Sequence, residues 1–169
     1  DIETFCDIAE IGDIEQMDTI IGQFLNYARG EVGETAERTD INTFVSQIAG
    51  AQGRVGSPPQ IILGEVPQTL IQPKALGRAL TNLLENARKY GGAPITVQTR
   101  NENGNCLIEV LDRGPGIPES EVERLKRPFT RLENARSNAS GTGLGLAIVE
   151  RIARLHGGAL ELLPREGGG

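Results

Sequence analysis

No tryptophan occurs in the 169 residues, and Phe, Tyr and Trp together make up 4%. A core built from this chain must therefore be aliphatic, drawn from Ile, Leu, Val and Ala. Histidine occurs once, at His156, which excludes a His-rich metal cluster. The two cysteines, Cys6 and Cys106, stand apart with no CxxC spacing, as fits reduced thiols in a cytosolic protein. Positive charge is in deficit: 17 Lys and Arg against 23 Asp and Glu leave a net charge of -6. That balance argues against nucleic acid as a partner, and any polyphosphate has to be held by local donors and a metal. No apolar stretch reaches the roughly 18 residues that suggest a membrane span. No basic-then-apolar signal segment opens the sequence. The chain as it stands reads as soluble, with room for one domain and an appendage.

What is present is strong periodicity. Ile14, Met17, Ile21, Phe24 and Ala28 alternate at spacings of three and four, a helical seam of coiled-coil type that stops at Gly30. Such a seam needs a partner, either the same helix of a second chain or a helix outside this sequence; packing on the chain's own globular part is the alternative. Residues 1–12 fit the register poorly, and their conformation stays open. Residues 31–38 are polar and read as a linker. Asp40 has the chemistry of an N-cap for a helix from 41 to about 51. Short strands are expected at 61–63 and 69–71. Pro73 then suits the first turn of a helix running to Tyr90, with Leu76, Leu80, Leu83, Leu84 and Ala87 as its buried stripe. Gly91-Gly92 ends it.

A hairpin follows, with strands at 95–99 and 107–111 joined through 101–105, where Asn103-Gly104 is a favoured turn pair. A short helix is expected at 118–126. Residues 127–140, rich in Arg, Asn and Ser, suit a mobile lid. The last helix should run from Gly143 to about His156 and stop at Gly157-Gly158. A strand over 159–163 leads towards Gly167-Gly168-Gly169, with a hairpin partner expected beyond the sequence.

Three segments carry the chemistry. On the helix before Gly91, Asn82 and Asn86 lie one turn apart and project from one face. The neutral carbonyl oxygen of Asn86 suits Mg²⁺ when a triphosphate supplies most of the negative charge. Glu85 could complete the metal shell through water or accept a proton from a nucleophile, and Lys89 can place an ammonium on a phosphate. The alternative for this helix alone is an amphipathic helix with its polar face in water. Next, Asp112 at a strand end can accept from an exocyclic amine such as adenine N6, while Gly114 and Gly116 let the backbone approach a flat base. A plain turn is the rival there. Finally, Gly141, Gly143 and Gly145 allow a tight bend around phosphates at a helix start, whose free amides favour anions. No Lys-Ser or Lys-Thr follows, so this is not a P-loop. Nor do the glycines follow the first strand of a βαβ unit, as a Rossmann site requires. Arg127, Arg131 and Arg136 are lid cations able to meet a γ-phosphate, or else a solvated basic run.

In this order the segments 78–91, 112–116 and 141–152 resemble the N, G1 and G2 boxes of sensor histidine kinases, within the ATP-binding class shared with gyrase, Hsp90 and MutL. Residues 127–129 and the helix from Asp13 to Arg29 are similar too, the latter to the second helix of the dimerisation and histidine-phosphotransfer domain, most nearly in EnvZ-like osmosensor kinases. The resemblance implies an α/β fold, a two-layer sandwich with a mixed sheet under three helices and an N-terminal bundle helix. It divides the chain into a partial dimerisation helix (1–30), a linker (31–38) and an ATP-binding catalytic domain (39–169) whose final strand is absent. ATP and Mg²⁺ are the implied cofactors. Glu85, Asn86 and Lys89 would be catalytic, with Asn86 on the metal. Asn82, Tyr90, Asp112, Gly114, Gly116, Ile117, Arg131, Gly141, Thr142, Gly143, Leu144, Gly145 and Leu146 would line the nucleotide site. The implied partners are a response regulator and a second copy joined through the N-terminal helix. The implied location is the cytoplasmic side of the inner membrane, with any membrane segment upstream. The family's phosphoacceptor lies in a His-Glu-type box that this sequence lacks, and His156 is not expected to replace it. An ATP-driven clamp of the gyrase/Hsp90/MutL type and an anti-sigma-factor serine kinase are the alternatives.

Overall fold

Asp40 starts the helix Ile41–Gln52 (α1) as its chemistry requires. Its carboxylate accepts from the Thr43 amide at 2.7 Å, which helps hold its pKa below the ordinary value. The computed structural model describes residues 21–22, 24–25, 33–53, 56–132 and 141–166. The chain divides into two units, Asp1–Gly33 and Glu34–Gly169. In the first unit, residues 21–22 and 24–25 are helical, and the seam residues Ile21 and Phe24 are exposed. Ile14, Met17 and Ala28, with residues 1–12, lie outside the described residues.

The second unit holds the rest: β1 (Glu37–Thr39), α1, β2 (Gln60–Leu63), β3 (Thr69–Ile71), α2 (Pro73–Tyr90), β4 (Thr96–Glu102), β5 (Asn105–Leu111), α3 (Glu119–Leu125) and α4 (Gly145–Leu155). Strands β1 and β3 pair antiparallel, while a second sheet has the order β2-β4-β5, parallel then antiparallel. This is the α/β arrangement with a mixed sheet that the resemblance implies. Ile41, Phe44 and Val45 of α1, Leu80 and Leu84 of α2, Ile71 and Val97 form its core. Fully burying an aliphatic side chain of this size is worth about 1.5–3 kcal/mol. One buried polar node crosses the layers: the Thr99 hydroxyl donates to Asn42 Oδ1 at 2.6 Å, and Asn42 Nδ2 donates to the Gly64 carbonyl at 2.8 Å.

Several boundaries differ from expectation. Glu37 and Arg38, in the stretch taken for linker, belong to β1 and pair with Ile71 and Leu70. The β4–β5 ladder extends to Glu102↔Asn105, leaving only Asn103 and Gly104 in the turn. Both have positive φ, 53° and 85°, the left-handed pair whose twist matches that of the strands. Helix α4 begins at Gly145 instead of Gly143, because Gly143 has φ 71°, a value no helix accommodates. Residues 159–163 form no strand. No described strand pairs with them, and the Leu160 amide donates instead to the Glu150 side chain at 3.1 Å. Leu76 and Leu83 are only half-buried on α2, whose inner face is completed by Ala75, Gly77 and Ala79.

Candidate functional site

Helices α2 and α4 pack against each other, and two contacts set their direction. At one end, a Cβ placed on Gly145 would lie 3.5 Å from both amide atoms of Asn86 and 3.6 Å from Asn82 Oδ1. At the other, His156, just past α4, accepts the Gln72 amide that precedes α2, at 3.0 Å. The pair is therefore antiparallel, with the two amide side chains facing the start of α4. Asn82 Nδ2 donates to the Arg78 carbonyl at 3.0 Å, which orients its oxygen towards Gly145. Any side chain at 145 would fill the space in front of these amides.

The Asp112 turn meets the end of the same helix. Arg113 donates its amide to the Gly92 carbonyl at 2.8 Å, and Asp112 Oδ1 accepts from the Gly114 amide at 2.7 Å. The approach is close enough that a Cβ on Gly91 would sit 2.5 Å from Asp112 Cγ, and one on Gly114 would sit 2.6 Å from Gly91 Cα. Gly91 and Gly92 thus do more than end α2. They seat the carboxylate turn on it, a role the sequence reading missed because helix termination already accounted for both glycines.

The third segment closes on the other two. A Cβ on Gly141 would fall 2.5 Å from the Tyr90 hydroxyl, and one on Gly143 would fall 2.9 Å from the backbone of Phe129 and Thr130. Phe129 has φ 61° and is 57% exposed, so it does not fill a core. Arg124 Nη2 donates to the Arg131 carbonyl at 3.2 Å, tying the start of the lid to α3. Residues 133–140, including Arg136, lie outside the described residues.

The expected site residues thus divide. Asn82, Asn86 and Gly145 are brought together, as are Tyr90 with Gly141, and Asp112 with Gly114. Glu85 and Lys89 are exposed on α2. Gly116, Ile117, Thr142 and Leu146 are half-buried in the two glycine segments. Leu144 is fully buried, so its side chain belongs to the core beneath the glycine run. A separate open depression of about 590 Å³, lined by Asn42, Leu63 and Glu65 among others, contains none of these residues. Among the described residues no group of three His, Cys, Asp or Glu side chains could hold a metal ion. A metal here would depend on the Asn86 oxygen and on oxygens of its own ligand, a donor set that suits Mg²⁺ bound to a polyphosphate. No helix among the described residues is long and apolar enough to cross a membrane.

His156 is structural. Its Nδ1 lies 2.8 Å from the Ile152 carbonyl and, with Nε2 accepting from Gln72, carries the ring proton. Both nitrogens are engaged far from the amide pair. Replacing His156 with Ala leaves the Gln72 amide without its acceptor, and a loss of about 1–3 kcal/mol is expected, read as a lower midpoint in urea unfolding. An unchanged midpoint would remove His156 from the clamp between α2 and α4.

The profile of the family described as "Histidine kinase-, DNA gyrase B-, and HSP90-like ATPase" matches residues 71–169. The chain is 31% identical over 169 residues to the sensor-like histidine kinase SenX3 of Mycolicibacterium smegmatis, covering 94% of this chain and 44% of that protein. It is 34% identical over 157 residues to the signal transduction histidine-protein kinase/phosphatase MprB of Mycolicibacterium vanbaalenii, covering 90% and 32%. The solved histidine kinase domain of the E. coli osmosensor EnvZ superposes with a TM-score of 0.60 at 33% identity, over 82% of this chain and 86% of that one. The chain spans less than half the length of these two curated relatives.

Proposed function

Because this chain belongs to the histidine kinase-, DNA gyrase B-, and HSP90-like ATPase family, we propose that it is the ATP-binding catalytic part of a sensor histidine kinase. It transfers the γ-phosphoryl group of ATP to a histidine on a dimerisation domain, for relay to an aspartate of a response regulator. The observation that carries this reading is the meeting of Asn82 and Asn86 with Gly145 on one side of α2, with the Asp112 turn seated at the end of the same helix. Relatives named as sensor kinases favour it over a conformational clamp or a serine kinase.

Each residue then has a role. The Asn86 amide oxygen would hold Mg²⁺, which would supply neutralisation of charge on the phosphates. Asn82 and Lys89 contact the phosphates, and Arg131 approaches them from the lid. Glu85 would complete the metal shell through water or receive the proton of the acceptor imidazole. Asp112 accepts from adenine N6, while Gly114, Gly116 and Ile117 border the base and Tyr90 closes one side. Gly141, Thr142, Gly143, Gly145 and Leu146 wrap the phosphates, with Leu144 anchoring the wrap in the core. Positioning and electrostatics do most of the work in such transfers. The chain would serve on the cytoplasmic side of the inner membrane, as a dimer through its N-terminal helix, with a response regulator as partner.

Radiolabelled ATP tests the assignment. The chain alone with Mg²⁺ and ATP should accumulate no phosphohistidine, since both His156 nitrogens are engaged at the end of α4 remote from Gly145. Adding a separate dimerisation domain that carries its histidine should produce label on that domain. Label on the lone chain that vanishes in His156→Ala would overturn the reading, as would an added domain that stays unlabelled.

A further inference from the structure

Helix α2 lacks a cap of its own. Its N-cap residue, Gln72, makes no side-chain capping bond, and Pro73 has no amide to offer. The Leu76 amide is satisfied by the Gln72 carbonyl at 2.9 Å, which leaves the amides of Lys74 and Ala75. Both are taken by one carboxylate from far upstream: Lys74 donates to Glu34 Oε1 at 2.7 Å, and Ala75 donates to Glu34 Oε2 at 3.0 Å. The negative charge also sits where the helix dipole favours it.

The position of Glu34 in the chain gives this cap a second meaning. Glu34 is the first residue of the second unit, directly after the boundary at Gly33, which itself has φ 96°. The next fixed point is β1, whose Glu37 is paired with Ile71. With the carboxylate in place, the chain is pinned from residue 34 onward. With it released, residues 34–36 become slack, and at 3.3–3.6 Å per residue the reach they add is at most about 10 Å.

We propose that Glu34 is a latch that sets the length of the tether between the N-terminal segment and the ATP-binding domain. It closes on the free amides of the helix that carries Asn82 and Asn86. Tether length governs the effective concentration of one tethered group near another. On the kinase reading above, a closed latch would limit, and an open one extend, the reach of the domain towards an acceptor on the N-terminal side. The latch itself does not depend on that reading. Glu34 is a positioning residue, at the opposite end of α2 from Asn86.

Spin-label distance measurement on the full chain tests it. Labels at Leu25→Cys, off the seam, and Gln68→Cys, both exposed positions, would be placed in a Cys6→Ser, Cys106→Ser background diluted with unlabelled protein. Glu34→Ala should broaden the distance distribution by several ångströms, up to about 10 Å, and hydrogen exchange at Lys74 and Ala75 should quicken. Glu34→Gln keeps one acceptor oxygen and should fall between wild type and Ala, which provides a milder variant if Ala folds poorly. Affinity for Mg-ATP should stay within about twofold, as expected for sites with no shared partners. A distribution and exchange rates in Glu34→Gln and Glu34→Ala identical to wild type would overturn the latch, as would a nucleotide affinity that falls in step with the broadening. A wild-type chain that binds no ATP would instead sink the kinase reading and leave the distances to decide the latch.

Discussion

Substituting Asn86 with Ala should cost at least about 100-fold in affinity for Mg-ATP, since removing even an outer partner of a metal ligand costs 10–100-fold. The expectation follows from the donor set. Among the described residues no cluster of carboxylates or imidazoles is available to take over, so in the proposed site one amide oxygen would carry the protein's share of the coordination. The loss should be specific to the metal complex. Calorimetry repeated with a chelator present should show wild type and Asn86→Ala binding metal-free ATP with similar, weak affinity. Equal affinities for Mg-ATP would remove Asn86 from the metal and with it the proposed centre of the site.

A second large effect should come from adding a single carbon at Gly114. A Cβ there meets the Gly91 Cα at 2.6 Å and the Tyr90 carbonyl at 3.0 Å, and both are backbone atoms that cannot swing aside. Gly114→Ala should therefore destabilise the domain by about 1–3 kcal/mol, the range for overpacking a tight site, and should also weaken nucleotide binding by parting the Asp112 turn from α2. Gly50 supplies the contrast. It lies within α1, is exposed, and a Cβ there meets nothing within 4 Å. Gly50→Ala should stabilise by about 0.5–1 kcal/mol through helix propensity and a less disordered unfolded chain. Opposite signs in thermal unfolding would confirm that space, and not glycine content as such, decides. Two shifts of the same sign would contradict the close approach at Gly114.

Helices α1 and α2 and strand β3 were readable because local chemistry settled them. Asp40 announced α1, Pro73 announced α2, and Leu80, Leu84 and Ala87 marked its inner face. The three glycine and amide segments were equally plain, since their residue types and order narrow the chemistry sharply. What escaped the sequence was long-range. Strand β1 is three polar residues with no alternating pattern, and only its pairing with β3 makes it a strand. The α2 cap comes from Glu34, 40 residues before Lys74, where no local rule would look for it. Gly91 and Gly92 read as a helix stop because the Asp112 turn that rests on them is distant in sequence. Residues 159–163 have a strand's composition, but a strand exists only where a neighbour supplies the ladder.

The hydrogen bond from the Gly114 amide to Asp112 Oδ1 has a consequence for choosing between purines. With one oxygen fixed by its own turn, the carboxylate offers an acceptor to a base. In the proposed pose an adenine presents its amine to that oxygen, and the two complement each other. A guanine in the same pose would present its carbonyl, setting acceptor against acceptor in a half-buried spot where neither is readily rehydrated. Sites that leave buried polar groups opposed or unpaired reject a substrate more strongly than sites that merely lack a favourable contact. The turn that seats Asp112 on α2 would thereby act as the filter that keeps GTP out.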